Sequence, residues 1–178
     1  MNQVHSTLSS QSRDEEVQAA IENYLQARKR ILTLGREVPE RFGGNDNIIG
    51  RIGEFIGLRF LESLGQRPEK VPGTSNPGYD LEEGSCRTQV KAITQENKHG
   101  RSVRLTPDWT QFLLIELGEH YVPTRIGLLT LEQQQQAIVD GFAKTPTPVV
   151  SLTMLGTKGL FSRYGRVYGS KQLRALGL

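Results

Sequence analysis

The stretch that decides the fold is YDLEEGSCRTQVKA, residues 79–92. Apolar and polar side chains alternate along both of its ends, which is typical of half-buried β-strands. The glutamate, glycine and serine at 83–85 between them are typical of a tight turn. The pattern therefore predicts strands over 79–82 and 88–92 that pair as a hairpin.

The side chains of this hairpin divide between two faces, because successive residues of a strand point to opposite sides. We expect Asp80 and Glu82 to share one face of the first strand, and Gln89 and Lys91 to share one face of the second. An acid, an amide oxygen and an ammonium group would then converge on one side. That set of groups can hold a divalent metal and act on a phosphodiester. The remaining apolar side chains are expected to point into a core: Tyr79, Leu81 and Val90.

Charge and cysteine content limit the class of protein. Lys and Arg number 22 against 19 Asp and Glu, a net charge of +3, and the isoelectric point is about 9.1, which is compatible with a polyanionic partner. The single Cys86 excludes an internal disulfide and a cysteine-based zinc site, and it suits a reducing compartment. No N-terminal apolar run resembles a signal peptide, and none elsewhere reaches the length of about 18 residues that a membrane span needs. We therefore expect a cytoplasmic protein.

Helices and further strands are predicted around the hairpin. Helical spacing of apolar residues predicts a helix over 14–34, after a polar and flexible N-terminus at 1–13, and a second helix over 47–64. Three glycines within the second helix, Gly50, Gly53 and Gly57, indicate close approach to another backbone. The other predicted elements are strands over 66–71, 102–105, 109–117, 125–130 and 149–152 and a glutamine-rich helix over 131–142. We therefore predict a single α/β domain over 14–178, in which helices flank a mixed central β-sheet.

The hairpin and the helix before it resemble the PD-(D/E)XK nuclease superfamily. The core of that superfamily is a helix bearing an acid, a strand bearing an aspartate, and a next strand bearing acid-x-lysine. Glu54 occupies the helix position, Asp80 the strand position, and residues 89–91, Gln-Val-Lys, the last motif. The resemblance spans residues 47–142. It departs from the family pattern at Gln89, where an acid is usual, although a Gln-x-Lys variant is known in Mrr-like restriction nucleases.

The resemblance implies a restriction-endonuclease-like fold and a Mg²⁺-dependent (or Mn²⁺-dependent) DNA endonuclease of the restriction type. Asp80 would be the main metal ligand, the Gln89 side-chain oxygen and the Val90 carbonyl would complete the site, and Glu54 would bind through water or bind a second ion. Lys91 would orient the attacking water or stabilise developing negative charge. The same analogy implies double-stranded DNA as substrate and a homodimer or a partner subunit.

Basic segments outside the hairpin offer contacts to a DNA backbone. The residues concerned are Lys98, Arg101, Arg104, Arg163 and Arg166. Solvated loops are an equally good interpretation of the same segments.

Each site residue also has a purely structural interpretation. Asp80 can cap a turn, Glu54 can pair with a lysine or arginine on a helix surface, and residues 89 and 91 can belong to an ordinary polar sheet face. At the level of function, three alternatives stay open. They are a non-catalytic nucleic-acid-binding protein on the same fold, a protein-interaction subunit, and a nuclease for RNA or branched DNA.

Overall fold

The computed structural model describes residues 3–37, 48–71, 78–94, 105, 108–118, 121–145 and 148–178. The chain forms two compact units, Met1–Asp46 and Asn47–Leu178. The unit that contains the sheet therefore begins at residue 47, whereas the sequence predicted one domain from residue 14. No helix in the described ranges combines the length and the apolar character needed to cross a lipid bilayer.

The described part of the first unit is one long helix, α1 (Gln3–Glu37). It begins within the segment predicted to be flexible and extends past the predicted end at residue 34. Residues 3–13 contain neither glycine nor proline, so nothing in their backbone chemistry ends the helix before Asp14.

The second unit is built on a six-stranded sheet whose strands lie in sequence order. Helix α2 (Ile48–Ser63) precedes it, and the strands are β1 (Glu69–Lys70), β2 (Leu81–Glu83), β3 (Cys86–Thr94), β4 (Gln111–Leu117), β5 (Pro123–Thr130) and β6 (Arg166–Gly169). The pair β3–β4 is parallel and every other pair is antiparallel. The predicted mixed sheet flanked by helices is confirmed.

Three helices and a 3-10 turn complete this unit: α3 (Leu131–Val139), the 3-10 helix Leu152–Leu155, α4 (Leu160–Tyr164) and α5 (Ser170–Ala175). The prediction of a strand over 149–152 is wrong: Val149 forms only an isolated bridge, and the chain enters the 3-10 helix at Leu152. The basic segment around Arg163 and Arg166 supplies parts of α4 and β6, and α5 follows it. Of the predicted strand 102–105, only the buried Leu105 lies within the described residues.

Helix α2 packs against β3 through two of its glycines. A Cβ at Gly53 would lie 2.6 Å from the Cβ of Ala92, and one at Gly57 would lie 3.1 Å from a β3 side chain. The predicted close approach is confirmed at these two positions. Gly50, in contrast, is exposed and has no described atom within 4 Å of such a Cβ. The α2 backbone therefore lies directly on β3, which fixes the position of the adjacent Glu54.

The opposite face of the sheet carries an apolar core. It is covered by α3, α4 and the 3-10 helix, and its most buried members include Trp109, Phe112, Leu114, Leu129 and Phe161. Gly127 on β5 allows this layer to come close, since a Cβ there would lie 2.5 Å from the Leu155 and Phe161 side chains. The sheet is thus covered on both faces, so a polar group in its central strands is shielded from water.

Candidate active site at the β2–β3 hairpin

The predicted hairpin forms, with β2 and β3 paired antiparallel from Leu81 opposite Thr88 to Glu83 opposite Cys86. Gly84 in the turn has φ of +59°, a left-handed conformation that glycine adopts without steric cost. The first strand is shorter than predicted and begins at Leu81. Asp80 therefore lies just before β2.

Asp80 is held against the middle of β3 by two hydrogen bonds. Its backbone N–H donates to the Thr88 carbonyl at 2.8 Å, and its Oδ2 accepts from the Val90 N–H at 2.7 Å. The two bonds flank Gln89, the residue between. The Asp80 carbonyl also accepts from the Val71 N–H at 3.1 Å. The carboxylate is thus fixed beside Gln89, and because it satisfies a β3 donor it stabilises the hairpin whatever else it binds.

The register divides the hairpin side chains between the two faces. Leu81 lies opposite Thr88, and alternation along β3 places Val90 on that same face, towards α2. Leu81 and Val90 are buried, at 0% and 5% exposed, as predicted. Gln89 and Lys91 share the other face of β3.

Tyr79 does not join the core. It is only half-buried, and its ring lies 5.7 Å from the guanidinium of Arg87. The prediction failed because Tyr79 precedes β2, so strand alternation does not set its direction. Glu82 is half-buried and lies on β2 between Glu69 and Arg87 in the register.

Gln89 carries an unsatisfied polar atom. Its side chain is 4% exposed, and its Oε1 has no hydrogen-bond partner in the described part of the chain. A buried acceptor without a partner costs about 1–3 kcal/mol. This burial rules out an ordinary solvated sheet face at Gln89. An amide oxygen in this state suits a hard cation or a ligand donor, although it binds Mg²⁺ more weakly than a carboxylate does.

Charged residues predicted for the site affect the pKa of the Asp80 carboxyl. Burial raises the pKa of the Asp80 carboxyl above its usual value, and the negative charge of Glu54 adds to this. The Val90 N–H and the positive charges of Lys91 and Lys70 act in the opposite direction on the same pKa. Two acids and two lysines therefore interact electrostatically at this position.

Glu54 is paired with a lysine. The Nζ of Lys70 lies 2.7 Å from Glu54 Oε2, and the two side chains are 55% and 23% exposed. The structural interpretation of Glu54, a helix acid paired with a base, is therefore observed. Its charge also acts on Asp80, so the pair belongs to the same group of residues.

The Val90 carbonyl faces the same edge of β3 as the Val90 N–H, because the two groups of one strand residue point to one side. Since that N–H donates to Asp80, the carbonyl is directed towards the Asp80 side of the strand. Residues of opposite parity bond to the β4 side, as the contact between Arg87 and Thr110 shows.

The candidate metal donors are all oxygen atoms: the Asp80 carboxylate, Glu54 on the α2 side of β3, the Gln89 amide on the other face of β3, and the Val90 carbonyl. Oxygen donors of this kind suit Mg²⁺ or Mn²⁺ rather than zinc. Within the described ranges, no three His, Cys, Asp or Glu side chains cluster in a way that could hold a metal. Two of the four candidate donors are an amide and a backbone carbonyl.

Two of the five residues predicted to contact DNA lie within the described part of the chain. Lys98, Arg101 and Arg104 lie outside the described residues. Arg163 and Arg166 are exposed, and their guanidinium groups lie 4.8 Å and 4.9 Å from the ring centroids of Phe142 and Tyr168.

Arg166 is not adjacent to the hairpin. It pairs with Leu128, which pairs with Leu113, which pairs with Val90. Three strand spacings correspond to about 14 Å. Arg166 therefore lies level with Val90 along the strands but three strands away across the sheet.

Lys70 is the residue that sequence reasoning missed. Its strand is two residues long, and no motif or spacing marks it. Its pairing with Glu54 depends on β1 lying beside β2 and on α2 lying against the sheet, and neither can be read from local sequence.

Comparison with known proteins adds no assignment. No protein-family model matches the chain, and no curated protein matches it significantly.

Proposed function

We propose that the protein is a Mg²⁺-dependent endonuclease that hydrolyses phosphodiester bonds in double-stranded DNA, on a fold of the restriction-endonuclease type. The observation that carries this proposal is the position of Asp80 beside a buried Gln89 whose amide oxygen has no partner among the described residues. The Asp80 backbone N–H donates to the Thr88 carbonyl, and the Asp80 carboxylate accepts from the Val90 N–H. Lys91 extends from the same strand two residues further on. An acid, an orphan oxygen and an ammonium group next to each other suit metal-assisted chemistry on a phosphate.

Asp80 and Gln89 are the residues that would hold the metal, with the Val90 carbonyl and Glu54 as further candidate ligands. A bound Mg²⁺ supplies an acidified water and polarises a phosphoryl oxygen. The burial that raises the pKa of Asp80 makes its ionised form costly, so a cation in contact with it would recover that cost. The same cation would give the Gln89 oxygen the partner it lacks.

Lys91 acts on the substrate side. A phosphodiester gains negative charge at its equatorial oxygens as the nucleophile attacks, and a fixed ammonium group nearby stabilises that charge. Lys91 is half-buried on a central strand, so its backbone is rigid and its charge is less screened than at a surface. It would also orient the attacking water. Its positive charge also acts to lower the pKa of the Asp80 carboxyl.

DNA binding would use the exposed arginines Arg163 and Arg166 as backbone contacts, because guanidinium groups pair with phosphates. Base recognition would come from loops of the sheet-containing unit, Asn47–Leu178. A homodimer would allow two sites to cut both strands of a palindrome.

The test is cleavage of supercoiled plasmid in Mg²⁺ or Mn²⁺ by the wild type, Lys91→Ala and the matched surface control Lys144→Ala. We expect nicked or linear product from the wild type and from Lys144→Ala. In Lys91→Ala the rate should fall by about 100-fold or more, because a charge-stabilising and water-orienting group is lost. Circular dichroism establishes that the variants are folded. Undiminished cleavage by folded Lys91→Ala would refute the assignment.

A second candidate function is a DNA-binding protein without catalysis on the same fold. Two observations favour it: Gln89 brings no negative charge to the metal site, and Glu54 is already neutralised by Lys70. DNA binding measured by fluorescence anisotropy, with no cleavage in either metal, would support this candidate over the first. Absence of both binding and cleavage would refute both.

A further inference from the structure

The ion pair between Lys70 and Glu54 lies within the candidate metal site. The ammonium group is 2.7 Å from Glu54 Oε2, and it acts together with Lys91 on the Asp80 carboxylate. Lys70 thus places a positive charge against two acids that a divalent cation would also need. Its role is not explained by the hydrolytic mechanism, which uses Lys91.

We propose that Lys70 competes with the metal ion for Glu54 and so sets the metal affinity of the site. This role rests on the proposed nuclease function, because it assumes that Glu54 contributes to metal binding. In this arrangement Lys70 holds Glu54 beside the site and must be displaced before Glu54 can interact with a cation.

The backbone of Lys70 is fixed where such competition requires. Lys70 lies opposite Leu81 in the β1–β2 pair, and the next residue, Val71, donates its N–H to the Asp80 carbonyl at 3.1 Å. The chain segment that carries the ammonium group is therefore hydrogen-bonded to the residue that would be the main metal ligand. The Lys70 ammonium group can therefore move away by rotation of its own side chain while the backbone keeps its pairing.

The side chains differ in a way that makes this exchange possible. Glu54 is largely buried, at 23% exposed, and follows Gly53, which is pressed against β3. Lys70 is 55% exposed, so its ammonium group can turn into water at low cost, since exposed ion pairs are weak. A cation would thus displace the Lys70 ammonium group and bind Glu54 where it stands.

Charge balance supports the same role. Glu54 and Asp80 repel each other, and Lys70 offsets this repulsion. A divalent cation would serve both acids at once, whereas the single charge of Lys70 is directed at Glu54. Removing Lys70 should therefore raise the affinity of the site for a divalent cation for two reasons: Glu54 becomes free to bind it, and a positive charge that repels it is lost.

The experiment is calorimetric titration of Mn²⁺ into the full-length protein without DNA, so the readout is metal affinity and not activity. We expect Lys70→Gln to bind Mn²⁺ about fivefold more tightly than the wild type, as expected from the loss of one competing exposed ion pair. Lys70→Arg retains the charge and should stay within about twofold of the wild type. Lys144→Gln, an exposed lysine outside the site, is the matched control for the change in net charge and should also leave affinity unchanged.

The double variant Lys70→Gln/Glu54→Gln tests whether Lys70 acts through Glu54. With the acid already neutralised, the gain from Lys70→Gln should shrink to less than about twofold, since the pair no longer exists. A gain that persists in full in this background would overturn competition for Glu54.

The remaining outcomes separate this role from the nuclease function itself. Equal Mn²⁺ affinity in the wild type and in Lys70→Gln, with clear binding by both, would overturn the role of Lys70 while the nuclease function stands. Absence of Mn²⁺ binding in every variant would overturn both. Circular dichroism of each variant shows that affinities are compared between folded proteins.

Discussion

Gly53 is a position at which α2 lies close to β3, and Gly53→Ala tests this helix–sheet contact. The added Cβ would lie 2.6 Å from the Cβ of Ala92, whereas carbon atoms in contact prefer about 3.5–4.0 Å. The helix must move away by about 1 Å to make room. Because Glu54 is the next residue, it would move with the helix.

A matched variant separates the cost of the close contact from the effect of the substitution on helix stability. Replacing glycine by alanine in a helix stabilises it by about 1 kcal/mol, whereas overpacking a close contact costs about 1–3 kcal/mol. Gly50→Ala lies in the same helix and has no described atom within 4 Å of the new Cβ. It should therefore gain helix stability without the cost of overpacking. The difference in unfolding free energy between the two variants should therefore be about 1–3 kcal/mol, with Gly53→Ala the less stable.

The assay is urea denaturation followed by the fluorescence of Trp109. This is the only tryptophan of the chain and it is buried in the sheet-containing unit, at 1% exposed. Its signal therefore reports the unit in which α2 packs. Equal stability of the two variants would refute the close approach of α2 to β3. If Glu54 has the proposed role, Gly53→Ala should also weaken Mn²⁺ binding and Gly50→Ala should not.

Two further predictions concern the pH dependence of stability. Burial raises the pKa of Asp80 above 3.8, so its contribution to stability is full below that pH and is lost as pH rises through the folded-state pKa. Asp80→Asn keeps an acceptor for the Val90 N–H and should therefore be more stable than the wild type at pH 7 without metal. Thermal denaturation should show this difference in stability vanishing towards pH 3. A variant less stable than the wild type at pH 7 would contradict this. The hydrogen bond from Arg125 to Glu116 holds the pKa of Glu116 below 4.5, so its contribution is present above that value and is lost as pH falls through the folded-state pKa. Glu116→Gln should lose about 1–3 kcal/mol at pH 7, less in acid, and a loss independent of pH would contradict the reasoning.

The hairpin and β4 were predictable because their signals are local. The alternation on either side of Gly84, with its left-handed φ, specifies two strands and a turn. The run from Phe112 to Ile115 is apolar at every position, as expected of a strand buried on both faces, and all four of its residues are 0% exposed.

Strand β6 was not predictable in this way. Its sequence is basic and ends in glycine, which is typical of a loop. It becomes a strand because β5 offers a free edge for pairing and because Tyr168 packs edge-on against Phe60 of α2, with ring centroids 4.9 Å apart. Both partners are distant in sequence, so no local pattern indicates them.

The sequence by itself determined which side chains share a face of β3, because the two-residue period of a strand places Gln89 and Lys91 together once the strand exists. Only the tertiary structure decided what surrounds them. Covering layers on both faces of the sheet bury the Gln89 oxygen, which has no partner among the residues that the structure describes. The turn of chain before β2 brings the Asp80 carboxylate to a β3 backbone N–H. The packing of α2 and β1 joins Glu54 to Lys70. Burial and pairing depend on groups far apart along the chain, and these non-local contacts set the charge balance of the site.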